Sequence, residues 1–234
     1  MSEAEEVAKA IQESAKLGQK GLETAEKAGS FFARAFKEPA DEISGMITDK
    51  LRFIRWKRMV NMIDEVDKIL EDKNVVDIRV VPPKIALPII EEASLEDNPE
   101  LQHLWNHLLA NAMNPNFNGE IRYGFIEMIK GITGIEAKLL NVFYEALRKE
   151  GKLEPLSEVF NHLLTKEEIM GGLSISTDVY ALSDNNLMRM QLLSPAILKS
   201  KGMGLGTEPL TIYKGIDAVT LTPLGVKFVE ACIH

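Results

Sequence analysis

The stretch TKEEIMGGLSISTDVYALSDNNLMRMQLL, residues 165–193, decides the fold of the C-terminal half of this chain. Its first four residues have the capping-box pattern that begins a helix, and the paired glycines at 171–172 are expected to end that turn. Ser176, or the threonine after it, then opens a second helix that reaches about Leu192. The stretch therefore predicts a helix-turn-helix.

The residues on both sides extend this pattern. Residues 157–164 are expected to be helical, and two short extended runs follow the helix-turn-helix, around residues 197–199 and 218–221. A last helix starts at Pro223. A helix-turn-helix that is followed by a β-hairpin and a terminal helix has winged-helix topology.

The middle of the chain is predicted to be helical. Asn98 is the N-cap and Pro99 the first residue of a helix that ends at Met113, because the sequence Asn-Pro-Asn follows it. A short helix around residues 125–129 and a longer one over residues 135–149 come next.

Long helices are also predicted towards the N-terminus. Apolar or small residues at three- and four-residue spacing indicate an amphipathic helix over residues 3–37, and a seven-residue apolar repeat indicates a helix over residues 41–72. Residues 74–81 are expected to form an extended connector or a short edge strand. Residues 85–93 are expected to form a buried helix that tolerates Pro88 only near its first turn.

The predicted fold class is thus mainly α, with an N-terminal helical bundle of long helices followed by a winged-helix-like C-terminal domain that contains a small β-hairpin. We divide the chain into an N-terminal amphipathic helix (residues 1–40), a helical domain (residues 41–118) and the winged-helix-like domain (residues 119–234).

Composition narrows the class of protein. With 234 residues, 45% of them hydrophobic, the chain can bury a core. It shows no secretory signal and no apolar stretch long enough to span a bilayer, and its single cysteine, Cys232, fits a reducing compartment as a small buried side chain. We therefore expect a cytoplasmic location. The net charge of −8 disfavours long-range attraction to nucleic acid or anionic lipid.

Five cations lie within residues 50–58 of the helix that is predicted over residues 41–72, and Phe53 and Trp56 lie among them. Such a run is typical of a solvated helix surface that balances acidic neighbours, and its functional alternative is a patch that binds nucleic acid, anionic lipid or another partner. The residues that we select as candidate partner or anion contacts are Arg52, Arg55, Trp56, Lys57 and Arg58.

The predicted wing offers a second candidate surface, because Lys199, Lys201 and Lys214 would lie near backbone phosphates if the hairpin met DNA. The second helix of the helix-turn-helix, however, carries two aspartates and has Arg189 as its only cation. Carboxylates that face phosphates weaken binding, so we favour protein contact over DNA contact for this module.

A weak metal candidate is the set Glu100, His103 and His107, because two histidines four residues apart on a helix can bind zinc. The set lacks a further ligand and a shielded environment, and the sequence HLWNH lacks the glutamate of a zinc protease motif, so we expect a solvated helix surface and no metal. No catalytic residues, cofactor or small-molecule substrate are predicted, and we expect a protein that is not an enzyme.

The run PIIEEASLEDNPELQHLWNHLLANAMNPN, residues 88–116, resembles the signature block of the abortive-infection alpha (Abi-alpha) family. Further matching segments occur in the expected order: LRFIRWKR (51–58), VVPPKIALP (80–88), FIEMIKGITGIEAKLL (125–140), NNLMRMQLL (185–193) and LTPLGVKFVEAC (221–232). The resemblance covers most of residues 41–234. It implies a role in bacterial defence against phage, with infected cells sacrificed or arrested, and it brings no catalytic motif.

We therefore expect a non-enzymatic phage-defence protein that recognises a phage or host macromolecule, through a protein partner or through self-association. One alternative is a DNA-binding regulator that uses its winged helix. A second is an effector that makes peripheral contact with the membrane surface through the N-terminal helix and its residues Phe31, Phe32 and Phe36.

Overall fold

The computed structural model describes residues 50–149, 164–195 and 218–233, together with the helical positions Ser30, Phe31 and Arg34. In chain order the elements of these ranges are α1 (Lys50–Asp72), α2 (Pro83–Leu95), α3 (Pro99–Met113), α4 (Tyr123–Lys130), α5 (Gly134–Lys149), β1 (Leu164–Thr165), α6 (Lys166–Leu173), α7 (Thr177–Arg189), β2 (Leu193–Pro195), β3 (Ala218–Leu221) and α8 (Pro223–Cys232). The described part of the protein is therefore mainly helical, with a small antiparallel sheet.

The chain divides into two compact units. The first contains Met1–Leu95 and Ala112–Phe117, and the second contains Glu96–Asn111 and Asn118–His234. Most of α3 therefore belongs to the second unit, whereas the sequence-based division places it in the domain that ends at residue 118. The three-part division of the chain stays a prediction.

In the first unit, α1 packs against α2. The fully buried side chains of α1 include Ile63, Val66 and Leu70, whose three- and four-residue spacing is that of one helix face. In the seven-residue apolar repeat that predicts this helix, Ile63 and Leu70 are buried, whereas Trp56 and Val60 are only half-buried. The helix ends as Asn74 takes a positive φ of 54°, the left-handed conformation that closes many helices.

Helix α2 begins two residues earlier than expected, which places Pro88 in its second turn. The prediction that Pro88 fits only near the first turn is therefore wrong. Proline removes one helical hydrogen bond, but Ala86, Ile89 and Ile90 are buried, and helices in proteins owe most of their stability to such packing. Before α2, residues 74–82 form a connector without a strand, in which the Arg79 N–H donates to the Met113 carbonyl oxygen at 2.7 Å.

The start of α3 agrees with the predicted signal. The side-chain Oδ1 of Asn98 accepts hydrogen bonds from the backbone N–H groups of Glu100 (2.9 Å) and Leu101 (3.3 Å). These are donors that the first helical turn cannot satisfy internally. Asn98 is thus the N-cap, and the helix ends at Met113, before the Asn-Pro-Asn sequence, as predicted.

We expect Asn98→Ala to lower the free energy of unfolding by about 1 kcal/mol, because alanine cannot accept the two N–H groups at the start of α3. Urea denaturation of the full chain measures the change. The control is Asn116→Ala, at an exposed loop position, which should change stability by less than about 0.5 kcal/mol. Equal effects of the two substitutions would show that the cap contributes nothing.

In the second unit, β3 is the central strand of a sheet with the order β1-β3-β2. Leu164 pairs with Val219 on one side, and Leu193 pairs with Leu221 on the other, both antiparallel. The elements from α5 onward follow the order helix, strand, helix, helix, strand, strand, helix. Phe125 of α4 and Phe228 of α8 meet edge to face, with ring centroids 5.7 Å apart.

Three predicted boundaries in this unit are wrong. Leu164 is predicted to end a helix but forms strand β1, because it pairs with β3. Helix α6 continues through the glycines at 171–172 to Leu173 and ends as Ser174 takes a φ of 54°. Helix α7 ends at Arg189, not near Leu192, because Gln191 takes a φ of 60° and the Leu192 N–H bonds back to the Leu187 carbonyl oxygen at 2.9 Å.

Several other predicted elements have clear outcomes. The short helix around residues 125–129, the helix over residues 135–149 and the last helix from Pro223 are confirmed as α4, α5 and α8. The strand at residues 218–221 is also confirmed, and its hairpin partner is β2. The predicted run at residues 197–199 lies outside the described residues.

Candidate functional site

Two of the candidate cations on α1 are bonded to the end of α2. Arg55 Nε donates to Ser94 Oγ at 3.0 Å, and Ser94 Oγ donates in turn to the Glu91 carbonyl oxygen at 2.6 Å. Arg58 Nη1 donates to the Leu95 carbonyl oxygen at 2.8 Å, a group that has no partner within its own helix and carries the negative end of the helix dipole. Both guanidinium groups are therefore held in place and also stabilise the packing of α1 against α2.

The other cluster members differ in their surroundings. Lys57 is exposed and Trp56 is half-buried. Arg52 lies in α1, and its side chain is outside the described residues. The cluster is therefore partly structural and partly available for contact.

Two apolar side chains lie beside these cations. Ile54 is 43% exposed and lies three and four residues before Lys57 and Arg58, on the same side of α1. Leu95, which receives the Arg58 hydrogen bond, is 55% exposed. Together they define a surface that we call the α1–α2 patch: Ile54, Lys57, Arg58 and Leu95. Sequence reasoning found its two cations but missed its two apolar members, because their exposure depends on how α1 and α2 pair.

The N-terminal segment contributes a described contact to the first unit. Phe31 is fully buried, and the Arg34 guanidinium lies 6.0 Å above its ring. Arg34 Nη2 also bonds both carboxylate oxygens of Asp67, at 3.1 and 3.3 Å. Phe31 is therefore occupied in packing in this state of the molecule and is not presented to a membrane. Phe32 and Phe36 lie outside the described residues.

Two of the three weak metal candidates, Glu100 and His103, line a cleft in the second unit. The cleft has a volume of about 320 Å³ and is lined by Glu100 and His103 of α3 and by Lys138 and Asn141 of α5. The Glu100 carboxylate forms an ion pair with Lys138 at 3.0 Å, and the His103 and His107 rings lie 4.2 Å apart. Among the described residues, no group of three or more His, Cys, Asp or Glu side chains has the arrangement of a metal site.

These residues were expected on a solvated surface, and the structure agrees only for His103, which is exposed. Glu100 and His107 are half-buried, and Asn106 and Asn111 of the same helix are fully buried. The apolar residues of α3, among them Leu104, Trp105 and Leu108, are buried. Part of the polar side of α3 is covered as well, and Asn111 Nδ2 donates there to the Ala231 carbonyl oxygen at 3.0 Å.

Helix α7 has one buried and one exposed side. Tyr180, Ser183 and Leu187 are buried. On the opposite side Leu182 is 73% exposed. The helix begins as predicted, because Ser176 Oγ accepts the Val179 N–H at 3.3 Å.

The exposed side of α7 also carries charges at its two ends. Asp178 is in the first turn and Arg189 in the last, and both are exposed. Arg189 Nη2 donates to Asn186 Oδ1 at 2.7 Å. The wing candidates Lys199, Lys201 and Lys214 lie outside the described residues.

Cys232 is fully buried at the end of α8, as predicted for a small apolar side chain. Burial raises the pKa of its thiol well above the ordinary value, because the thiolate would lose its solvation. The thiol is therefore a packing group and not a reactive nucleophile.

The described geometry is that of a helical protein with exposed apolar and charged surfaces. The family model for abortive infection alpha matches residues 54–232, and the chain belongs to that family. No curated protein and no solved structure matches the chain. Within the described residues, no helix combines the length and the apolar character that crossing a membrane requires.

Proposed function

We propose that this chain is a non-enzymatic, cytoplasmic protein of abortive-infection defence that acts by binding a phage or host protein through the α1–α2 patch. The family supports the defence role. The recognition role is supported mainly by one observation: exposed Ile54 and Leu95 lie beside cations whose positions are fixed by hydrogen bonds to α2.

The patch has the chemistry of a protein-binding surface. Arginine is enriched at protein interfaces, and Ile54 and Leu95 add exposed apolar area beside Arg58. Arg58 is already held by the Leu95 carbonyl oxygen, so that little side-chain freedom would be lost on binding. An acidic partner surface with a small apolar element would be complementary to it.

A nucleic-acid partner suits the patch less well. Affinity for a duplex grows with the number of phosphates that cations neutralise. Of the patch residues only Lys57 and Arg58 carry a positive charge, so few phosphates could be neutralised. Ile54 and Leu95 would add little to phosphate binding.

The test is phage plating on cells that carry a Lys57→Glu, Leu95→Ser double variant. We expect protection to fall by about tenfold or more, because the loss of about 1.4 kcal/mol of binding reduces affinity tenfold. Both residues are exposed, so that stability should change by less than about 1 kcal/mol in total. Circular dichroism and thermal denaturation of the purified variant check that it is folded.

The matched control is the double variant Lys84→Glu, Leu87→Ser. Both of its side chains are exposed and lie on α2. It makes the same two chemical changes away from the patch and should leave protection intact. Full protection by the folded Lys57→Glu, Leu95→Ser variant would refute the assignment of the patch.

A second candidate function follows from the element order of the second unit. We infer that α5 to α8 form a winged helix, with α6 and α7 as its helix-turn-helix. The support is the order of elements and the β1-β3-β2 sheet, in which the two strands after α7 are antiparallel neighbours. Such a module often binds DNA through its second helix, which here would be α7.

We nevertheless propose that this winged helix contacts protein, since α7 exposes Leu182 and places Asp178 at the end that would approach the bases. A gel-shift titration with random duplex at low salt distinguishes the two uses. We expect no complex, whereas salt-dependent retardation would favour the DNA-binding regulator.

A further inference from the structure

Four exposed residues form a single stripe along α7. Asp178, Leu182, Asn185 and Arg189 follow one another at spacings of four, three and four residues, which places them on one helix face. This face lies opposite the buried residues Tyr180 and Leu187. The stripe is about 16 Å long, given the rise per residue of an α-helix.

Along the stripe, an acidic side chain (Asp178) is followed by an apolar one (Leu182), an amide (Asn185) and a basic one (Arg189). When two copies of such a stripe pair antiparallel, the acidic end of each meets the basic end of the other, and Leu182 of each copy lies beside Asn185 of the other. We propose that α7 is the contact surface for a second copy of this chain, in a two-fold symmetric pair held by two Asp178–Arg189 ion pairs around Leu182.

Charge complementarity is the reason to propose a second copy of this chain as the partner of α7. A two-fold contact requires a surface that is complementary to itself, and a stripe with opposite charges at its two ends has this property only in the antiparallel arrangement. Antiparallel pairing also opposes the two helix dipoles, which is favourable. A duplex would instead place a phosphate or a base edge against the Asp178 carboxylate, which is unfavourable beside a phosphate.

The size of the surface sets the expected strength. A stable protein interface buries about 800 Å² on each partner, which is more than one exposed stripe of a 13-residue helix provides. The pair is therefore weak and depends on protein concentration. The proposed contact involves α7 alone and does not depend on the α1–α2 patch.

The test uses charge reversal in the full-length protein and sedimentation equilibrium up to high micromolar concentration. Wild type is expected to show reversible self-association. Asp178→Arg alone, and Arg189→Asp alone, should each be monomeric, because the homodimer would then place like charges opposite each other.

Two combinations of these charge reversals test directly whether Asp178–Arg189 ion pairs hold the dimer together. An equimolar mixture of the Asp178→Arg and Arg189→Asp proteins should form a heterodimer, since each reversed residue then meets an opposite charge. The double variant D178R/R189D should again self-associate. Rescue in both cases cannot arise from a purely structural effect of either substitution, and circular dichroism verifies that each variant is folded.

The control is Asp77→Arg, an exposed acidic position in the first unit, which should leave the self-association of the chain unchanged. A monomeric wild type across the concentration range overturns the proposal. So does a wild-type dimer that the single reversals leave intact, or one that the mixture fails to restore. None of these outcomes changes the result of the plating test of the α1–α2 patch. The self-association proposal can therefore be refuted without refuting the patch, and the reverse is also true.

Discussion

We expect Gly225→Ala to lower the free energy of unfolding by about 3 kcal/mol or more, because α8 approaches the chain after α7 so closely that no Cβ fits at residue 225. An added Cβ would lie 2.2 Å from the Leu192 carbonyl oxygen and 2.9 Å from Leu221 Cδ2. A backbone oxygen cannot rotate away as the end of a side chain can.

The Leu192 carbonyl oxygen is also held in place. It accepts the Thr222 N–H at 3.0 Å, and Thr222 caps α8 by accepting the Gly225 N–H on Oγ1 at 2.9 Å. Moving it would therefore disturb the cap of α8 and the end of β3 together. Urea denaturation of the full chain measures the loss of stability.

The matched control is Gly172→Ala in α6, where an added Cβ meets no atom within 4 Å. Alanine is preferred to glycine inside a helix, so this variant should gain up to about 1 kcal/mol. Opposite signs for the two Gly→Ala changes are the expected result. A Gly225→Ala protein as stable as wild type would show that α8 and the chain after α7 are further apart than described.

Glu136→Ala is expected to cost about 3 kcal/mol, because this buried side chain joins the start of α5 to α7. Its Oε2 accepts the Thr133 N–H at 2.6 Å, and the Glu136 N–H donates to Thr133 Oγ1 at 3.3 Å, which forms a capping box. Its Oε1 accepts from Asn186 Nδ2 at 3.0 Å. Alanine removes both acceptors and leaves the Thr133 N–H without its cap.

Glu136→Gln is the informative comparison. Glutamine also serves in a capping box, but only one of its two terminal atoms is an acceptor, so that it can keep one of the two contacts. We expect a loss of about 1 kcal/mol, smaller than that of alanine, in the same urea denaturation measurement. Equal losses for the two variants would mean that Glu136 acts through its packing volume and not through its oxygens.

Local sequence signals predicted the helix starts well. Asn98 and Ser176, which mark two helix starts in the sequence, accept N–H groups of the first turn that follows, and a cap of this kind depends only on residues within one turn. The positions of α4 and α5 followed from the spacing of their apolar residues, since α4 begins without a side-chain cap, and Pro223 marked the start of α8.

Helix ends were predicted less well. Three helices end at residues with positive φ that are not glycine, namely Asn74, Ser174 and Gln191. Glycine is the usual residue there, since it lacks the steric penalty of a Cβ, and the sequence therefore pointed to the wrong end of α6. Strand β1 could not be predicted either, because Leu164 and Thr165 owe their conformation to pairing with the distant β3.

The candidate site was only partly predictable, because its contacts join residues that are far apart in the sequence. The cations of α1 stand out as a run in the sequence, but the hydrogen bonds of Arg55 and Arg58 involve residues 39 and 37 positions away. The exposure of Leu95 also depends on tertiary packing. Leu182 is different, because the spacing of Tyr180 and Leu187 already places it on the outer side of α7.

The most direct test of the α1–α2 patch is site-specific photo-crosslinking in living cells, with a photoreactive phenylalanine analogue at position 95 or at position 87. Both positions are exposed leucines on α2, and only Leu95 belongs to the patch. We predict that phage infection produces a discrete crosslinked species from position 95 and not from position 87. Crosslinks that are absent at position 95, or equal at the two positions, would contradict recognition through this surface.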